Sequence, residues 1–176
     1  MLGYYNDAAA TAAAIVDGWY HTGDIGQFDK DGYLRITDRK KEIFKTSTGK
    51  FIAPSRVEAS LKRSAFLAQA VVVGNGRPHP VALVAPNWEL VCKELGLDGA
   101  STEDLSRRDD VRAFVESEAL EHTSDLAKFE QIRQVAILPR DLTIEAGELS
   151  PTLKVRRRIV EQRYAELIDG LYQAPV

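Results

Sequence analysis

The side chains of this chain best suited to chemistry are one carboxylate and a set of cations. Asp24 lies between Gly23 and Ile25 in HTGDIG, on or at the end of a strand-like run. An ionised carboxylate accepts several hydrogen bonds, and vicinal hydroxyls such as those of a ribose are a matching donor pair. Arg39 offers a planar fork of donors. Arg39, Lys40, Lys41, Lys45 and Lys50 fall within twelve positions, opposed only by Glu42. Lys154 stands in ELSPTLKV, a loop just ahead of a helical segment, where a long mobile cation can swing toward a phosphate. Taken singly, each residue is as well explained by a solvated surface charge. The constellation carries the reading.

Other chemistries lack the residues they require. TSTGK fails as a nucleotide phosphate loop, because position 44 is Phe where that motif needs Gly and position 51 is Phe where it needs Ser or Thr. His21, His79 and His122 stand apart, with no metal-ligand spacing. No GxSxG is present. Cys92, the lone cysteine, falls in the apolar-patterned WELVCKEL and reads as a buried structural thiol in a reducing cytoplasm. The chain carries 23 Lys and Arg against 26 Asp and Glu, so a mildly acidic total conceals segregation. Residues 39–63 hold eight bases against Glu42 and Glu58, and residues 154–163 hold five against Glu161. An acidic total without aromatics among these bases argues against nucleic acid. Arg156, Arg157 and Arg158 are equally consistent with a solvated helix start. No apolar run approaches the roughly eighteen residues that a membrane span needs, so membrane association is expected to be peripheral if present at all.

The elements that must position these groups follow from pattern. An Asn-Asp start and an alanine-rich stretch predict a short helix near the beginning. The stretch WYHTGDIGQFDKDGYLRITD predicts two strand-like runs around an Asp29–Gly32 turn. EIFKT and FIA predict short strands joined by Ser47–Lys50. Pro54 suits the first turn of a helix whose apolar stripe includes Val57 and Leu61. AQAVVVGNG, VALVAPN and IRQVAILP read as core strands, and residues 87–95 and about 108–130 as helices, the second broken near His122–Ser124. A closing amphipathic helix is expected to place Val160, Tyr164, Leu167, Ile168 and Leu171 on one face. This order predicts an α+β fold, a small mixed sheet covered by helices. Residues 1–38 are expected to be the tail of a preceding domain and residues 39–176 a domain of their own.

GYYNDAAAT, the forty-residue block containing TGD, DRKKE and TGKFIAP, and ELSPTLKVRRRIVEQRY together resemble the C-terminal part of AMP-forming acyl-CoA synthetases, within the adenylate-forming superfamily. SPTLKVRRR is most similar to the long-chain fatty acyl branch. The resemblance implies that Asp24 and Arg39 contact the ribose of ATP and the adenylate, and that Lys41 is the hinge of a mobile lid domain. It implies that Lys154 reaches the α-phosphate during adenylation. Lys45 would face the active site in a second conformation, and Thr48, Gly49 and Lys50 would line the pantetheine tunnel of CoA. Relative to luciferases, one extra residue separates Lys45 from Gly49.

The implied activity is ATP-dependent conversion of a fatty acid, long-chain by this resemblance, to an acyl-adenylate, then transfer to CoA with release of AMP and pyrophosphate. ATP, CoA and Mg²⁺ are the implied cofactors. The partner is the N-terminal domain of the same enzyme, which the resemblance makes the bearer of the phosphate loop, acyl tunnel and adenine pocket. Residues 1–176 alone are therefore expected to show no synthetase activity. Three alternatives stay open: a free-standing CoA or nucleotide-binding module, an interaction domain with solvated cations, and an adenylate-forming enzyme for a non-fatty acid.

Overall fold

The computed structural model describes residues 1–97 and 99–173. The backbone divides into two compact units, Met1–Ile43 and Phe44–Val176.

In the first unit, helix α1 (Ala8–Ala14) starts at Asp7, whose carboxylate accepts the Ala10 N–H at 2.8 Å. None of its residues is buried. Strands β1 (Ile15–Val16) and β2 (Trp19–Tyr20) pair across Asp17 and Gly18, both at positive φ. The run from Trp19 to Phe28 is thus two strands rather than one, because Gly23 at φ 78° turns the backbone ahead of β3 (Asp24–Phe28). β3 pairs antiparallel with β4 (Leu34–Arg39) through the expected turn. There the Asp29 carboxylate accepts the N–H groups of Asp31 and Tyr33 at 3.0 and 2.9 Å. The register slips between Ile25 and Gly26, leaving Thr37 as a bulge whose hydroxyl donates to the Ile25 carbonyl at 3.2 Å.

The second unit opens with β5 (Phe44–Lys45) and β6 (Phe51–Ile52), an antiparallel pair, and α2 (Pro54–Leu61) with Pro54 in its first turn. Its centre is a sheet of β7 (Leu67–Val73), β8 (Val81–Pro86) and β9 (Val135–Ile137), in that order, the first pair antiparallel and the second parallel. Between β8 and β9 come α3 (Trp88–Leu95), α4 (Thr102–Leu105) and α5 (Asp109–Thr123). Helices α6 (Arg157–Arg163) and α7 (Ala165–Gln173) follow the sheet. Ala70, Val72, Ala82 and Val84 pack with Val57, Leu61, Val111 and Val115. Val71, Val73, Val81 and Leu83 pack with Val160 and Ile168. Both faces of the sheet are covered, so its two long strands read as unbroken apolar runs without alternation. The fold is the expected small α+β arrangement.

Three expectations change. α5 stops at Thr123, whose hydroxyl donates to the Ala119 carbonyl at 2.7 Å and receives the Ile132 N–H at 3.4 Å, so the segment up to β9 is not helical. The closing helix is two helices meeting at Tyr164, and Leu167 is 46% exposed rather than on the buried face. Cys92 is half-buried rather than buried. Short α4 had no apolar period long enough to announce it.

Candidate functional site

In the first unit, the bulged hairpin sets Asp24 directly opposite Arg39. The Arg39 Nε lies 3.0 Å from Asp24 Oδ1, although fifteen residues separate the two in sequence. Gly23, which only a residue tolerant of positive φ fills easily, starts β3 and accepts the Lys40 N–H on its carbonyl at 2.8 Å. Asp24 is about a quarter exposed and Arg39 more than half. After β4, the Glu42 N–H donates to the Arg39 carbonyl at 2.9 Å, a turn that carries Lys41 at the end of the unit. Asp24, Arg39, Lys40 and Lys41 all line one open hollow of about 850 Å³, with Tyr4 and Tyr20 on its wall. An accessible carboxylate–guanidinium pair beside two further cations suits a polyhydroxylated, anionic ligand.

The second unit carries two separate groups. The first is the β5–β6 hairpin. Phe44 and Ile52 are buried and anchor it, and Lys45 and Phe51, on the other face, are exposed, with the Lys45 ammonium 5.6 Å from the Phe51 ring centre. Its turn is tied internally: Lys50 N–H donates to Thr46 Oγ1 at 3.1 Å, and Thr46 and Thr48 hydroxyls lie 2.9 Å apart. Gly49 occupies φ 84°, where a β-carbon would be strained. Two backbone bonds, Ser47 N–H to the Arg77 carbonyl at 2.9 Å and Gly76 N–H to the Lys45 carbonyl at 2.8 Å, fasten the hairpin to the neighbouring turn. Beside it lies a hollow of about 360 Å³ lined by Thr48, Lys50, Lys128 and Arg133, with Phe129 and His79, and no carboxylate on its wall. It is a cationic concavity with an aromatic face.

The second group is the Lys154 turn. The Ser150 N–H donates to the Lys154 carbonyl at 2.8 Å, and the Lys154 N–H donates to Ser150 Oγ at 3.1 Å. Leu149 bridges to Val155 below it. Lys154 is exposed. Among the described residues, no hydrogen bond or ion pair joins it to the β5–β6 hairpin. The structure therefore brings Asp24, Arg39 and Lys41 together, and Lys45, Thr48, Gly49 and Lys50 together, with Lys154 on a turn of its own.

Sequence reasoning missed the polar groups behind that turn. Glu148 is fully buried. Its carboxylate accepts from both Arg140 Nη atoms at 2.8 and 2.9 Å, from Arg163 Nη1 and Tyr164 Oη at 2.9 Å each, and from the Thr143 N–H at 3.1 Å. Burial pushes its pKa up, but the donors, led by Arg140, outweigh that and hold it at about 2. Burial, then the bond to Glu148, pushes the Tyr164 hydroxyl above its ordinary value. Arg157 is no solvated helix-start charge: its Nη1 donates to Glu58 Oε1 at 2.7 Å and to the Val72 carbonyl at 2.6 Å. Arg156 and Arg158 are exposed. No periodicity marks Glu148; its one signal was an acid in a loop between two arginine-bearing segments.

Comparison with known proteins shows the family to which the chain belongs. Residues 41–175 match the family described as the AMP-binding enzyme C-terminal domain. The long-chain-fatty-acid–CoA ligase FadD15 of Mycobacterium tuberculosis is 38% identical over 97% of this chain, and human long-chain-fatty-acid–CoA ligase 1 is also 38% identical over 97%. The chain spans 29% and 25% of those two proteins' lengths. Among solved structures, the adenylation domain of a carboxylate reductase from Mycobacterium chelonae superposes with a TM-score of 0.82 at 26% identity, over 98% of this chain and 26% of that one. The corresponding domain from Segniliparus rugosus, in complex with AMP and a co-purified carboxylic acid, gives 0.79 at 29% identity over 97% of this chain and 26% of its own. This chain belongs to the AMP-binding enzyme C-terminal domain family, and both curated relatives just described are long-chain fatty acid–CoA ligases.

Proposed function

We propose that this chain acts as the C-terminal portion of an AMP-forming long-chain acyl-CoA synthetase, with residues 1–38 ending an upstream adenylation core and residues 39–176 forming a mobile domain. In the first half-reaction a fatty carboxylate oxygen attacks the α-phosphorus of ATP, and the bond to pyrophosphate breaks. Lys154 is the cation set against the charge that develops there; losing one such contact typically costs about 10²–10³ in rate. Asp24 and Arg39 hold the ribose hydroxyls. Rotation about Lys41 then exchanges Lys154 for the β5–β6 hairpin at the same centre, so that one pocket serves two steps. The CoA sulfur attacks the acyl carbon and AMP leaves. Thr48, Gly49 and Lys50 line the thiol's path, Lys45 faces the adenylate, and the concavity of Lys50, Lys128 and Arg133 receives the phosphates of CoA.

The observation that carries this reading is the pairing of Asp24 with Arg39 at 3.0 Å, which unites two residues with one implied ligand. Magnesium enters with the nucleotide. The resemblance puts its protein ligands mainly in the upstream domain; among the described residues no group of three His, Cys, Asp or Glu side chains is placed to hold a metal ion. No helix among them is long and apolar enough to cross a membrane. In the parent enzyme, Lys154→Ala is expected to lower palmitate-dependent ATP–pyrophosphate exchange by about 10²–10³-fold while thioester still forms from supplied palmitoyl-adenylate. Unchanged exchange would remove Lys154 from adenylation.

The cation-lined hollow beside the hairpin also favours a second reading, a module that binds CoA without the upstream core. Saturable CoA binding to residues 1–176, lost on charge reversal at Lys50 and Arg133, would support it. No binding, or binding indifferent to those changes, would remove it.

A further inference from the structure

Glu148 is a buried carboxylate that the proposed chemistry does not use. Its backbone and side chain do two different jobs in one place. The Arg156 N–H donates to the Glu148 carbonyl at 2.8 Å, and Leu149 bridges to Val155, so Glu148 and Arg156 close the base of the loop that carries Lys154. Near the tip, the Leu153 N–H donates to the Ser150 carbonyl at 2.8 Å, and the hydroxyls of Ser150 and Thr152 lie 3.0 Å apart. Leu153, 69% exposed, is held at φ 58°, a conformation that leucine rarely adopts unless its surroundings impose it.

Those tip bonds surround Leu153, and the base of the loop is fastened separately. The Glu148 side chain draws Arg140, from the segment after β9, and Arg163 and Tyr164, at the junction of α6 and α7, to a single carboxylate. The other leg of the loop runs straight into α6, where Arg157 is fixed to Glu58 and to the Val72 carbonyl. Apolar side chains in place of the whole cluster, carboxylate and arginines together, would fill the same space, often with no loss of stability. A carboxylate instead demands donors from several directions and so defines geometry.

Building on the proposed adenylation role of Lys154, we propose that Glu148 is its positioning residue: the buried carboxylate locks the base of the 148–156 loop so that Lys154 is presented in one fixed place. Glu148 touches no substrate and acts through Lys154. Misplacing a reacting group by about 1 Å can cost on the order of 10²-fold in rate.

The test uses the parent enzyme and the near-isosteric Glu148→Gln, alone and combined with Lys154→Ala. Glu148→Gln should lower kcat of palmitate-dependent ATP–pyrophosphate exchange by roughly 10–10²-fold with KM for ATP little changed, and leave thioester formation from supplied palmitoyl-adenylate within about twofold. In the Lys154→Ala background it should cause no further loss, as for two residues acting as a unit. Equal damage to both half-reactions, or an added loss on top of Lys154→Ala, would reduce Glu148 to general structural support. If Lys154→Ala alone leaves exchange intact, the adenylation reading fails first and the positioning role goes with it. Should Glu148→Gln not fold, Arg140→Gln, at a side chain 47% exposed, should give a smaller loss split in the same way; an even loss across both steps overturns the proposal.

Discussion

Asp24 and Glu148 are both carboxylates paired with arginine at about the same distance, yet their surroundings give them opposite work. Asp24 meets Arg39 at 3.0 Å on an open hairpin, with both groups in reach of solvent. Glu148 meets Arg140 and Arg163 at 2.8 and 2.9 Å with none of its side chain exposed. An exposed pair is weak, commonly worth about 0–1 kcal/mol, and its partners can turn to a ligand at little cost. A buried carboxylate cannot give up its donors without leaving charge in a medium that solvates it poorly. The exposed pair is thus fitted to bind and the buried cluster to hold.

Removing the buried partner should have the largest effect. Glu148→Ala leaves the half-exposed Arg140 and Arg163 without their carboxylate and opens a void, and the expected loss is about 2–4 kcal/mol of stability, read by denaturant unfolding. If the loss were as small as for an exposed pair, the contrast would collapse. Next comes pH. The Glu148 pKa is depressed from 4.5 to about 2 in the folded chain, so its contribution is complete above about 4.5 and is lost as pH falls through about 2. That shift corresponds to roughly 3 kcal/mol at most. The stability gap between the unmutated chain and Glu148→Gln should therefore narrow by that order between pH 5 and pH 2, as urea titrations at each pH would show; a constant gap would contradict it.

For the exposed pair the ordering reverses. Asp24→Asn should change unfolding by no more than about 1 kcal/mol. In the parent enzyme it should weaken nucleotide binding by about 1.5–3 kcal/mol, the worth of hydrogen bonds to a charged group, read as a raised KM for ATP. A large stability loss with unchanged KM would make Asp24 a structural residue.

Local signals made much of the fold legible. Asp29–Gly32 forms its turn because the Asp29 carboxylate captures nearby N–H groups, and Pro54 opens α2 because its missing N–H costs nothing there. The pairing of Asp24 with Arg39 was legible too, since a motif names both residues and hairpin pairing between neighbouring strands brings them face to face. The long closing helix misled because Tyr164 fits its apolar stripe. In the structure that side chain reaches back sixteen residues to Glu148, and the helix is interrupted at that point.

By itself, then, the sequence determined the elements whose causes lie within a few residues, the apolar runs of a sheet covered on both faces, and the motif residues of the nucleotide and CoA readings. Only the tertiary structure decided which charges are buried and paired. Glu148 and Arg163 are fifteen residues apart and Glu58 and Arg157 ninety-nine. A charge in the sequence carries no mark of the dielectric it will meet. That is set by what packs around it once distant segments converge, and burial is what turns an ordinary glutamate into the fastening of the lysine-bearing loop.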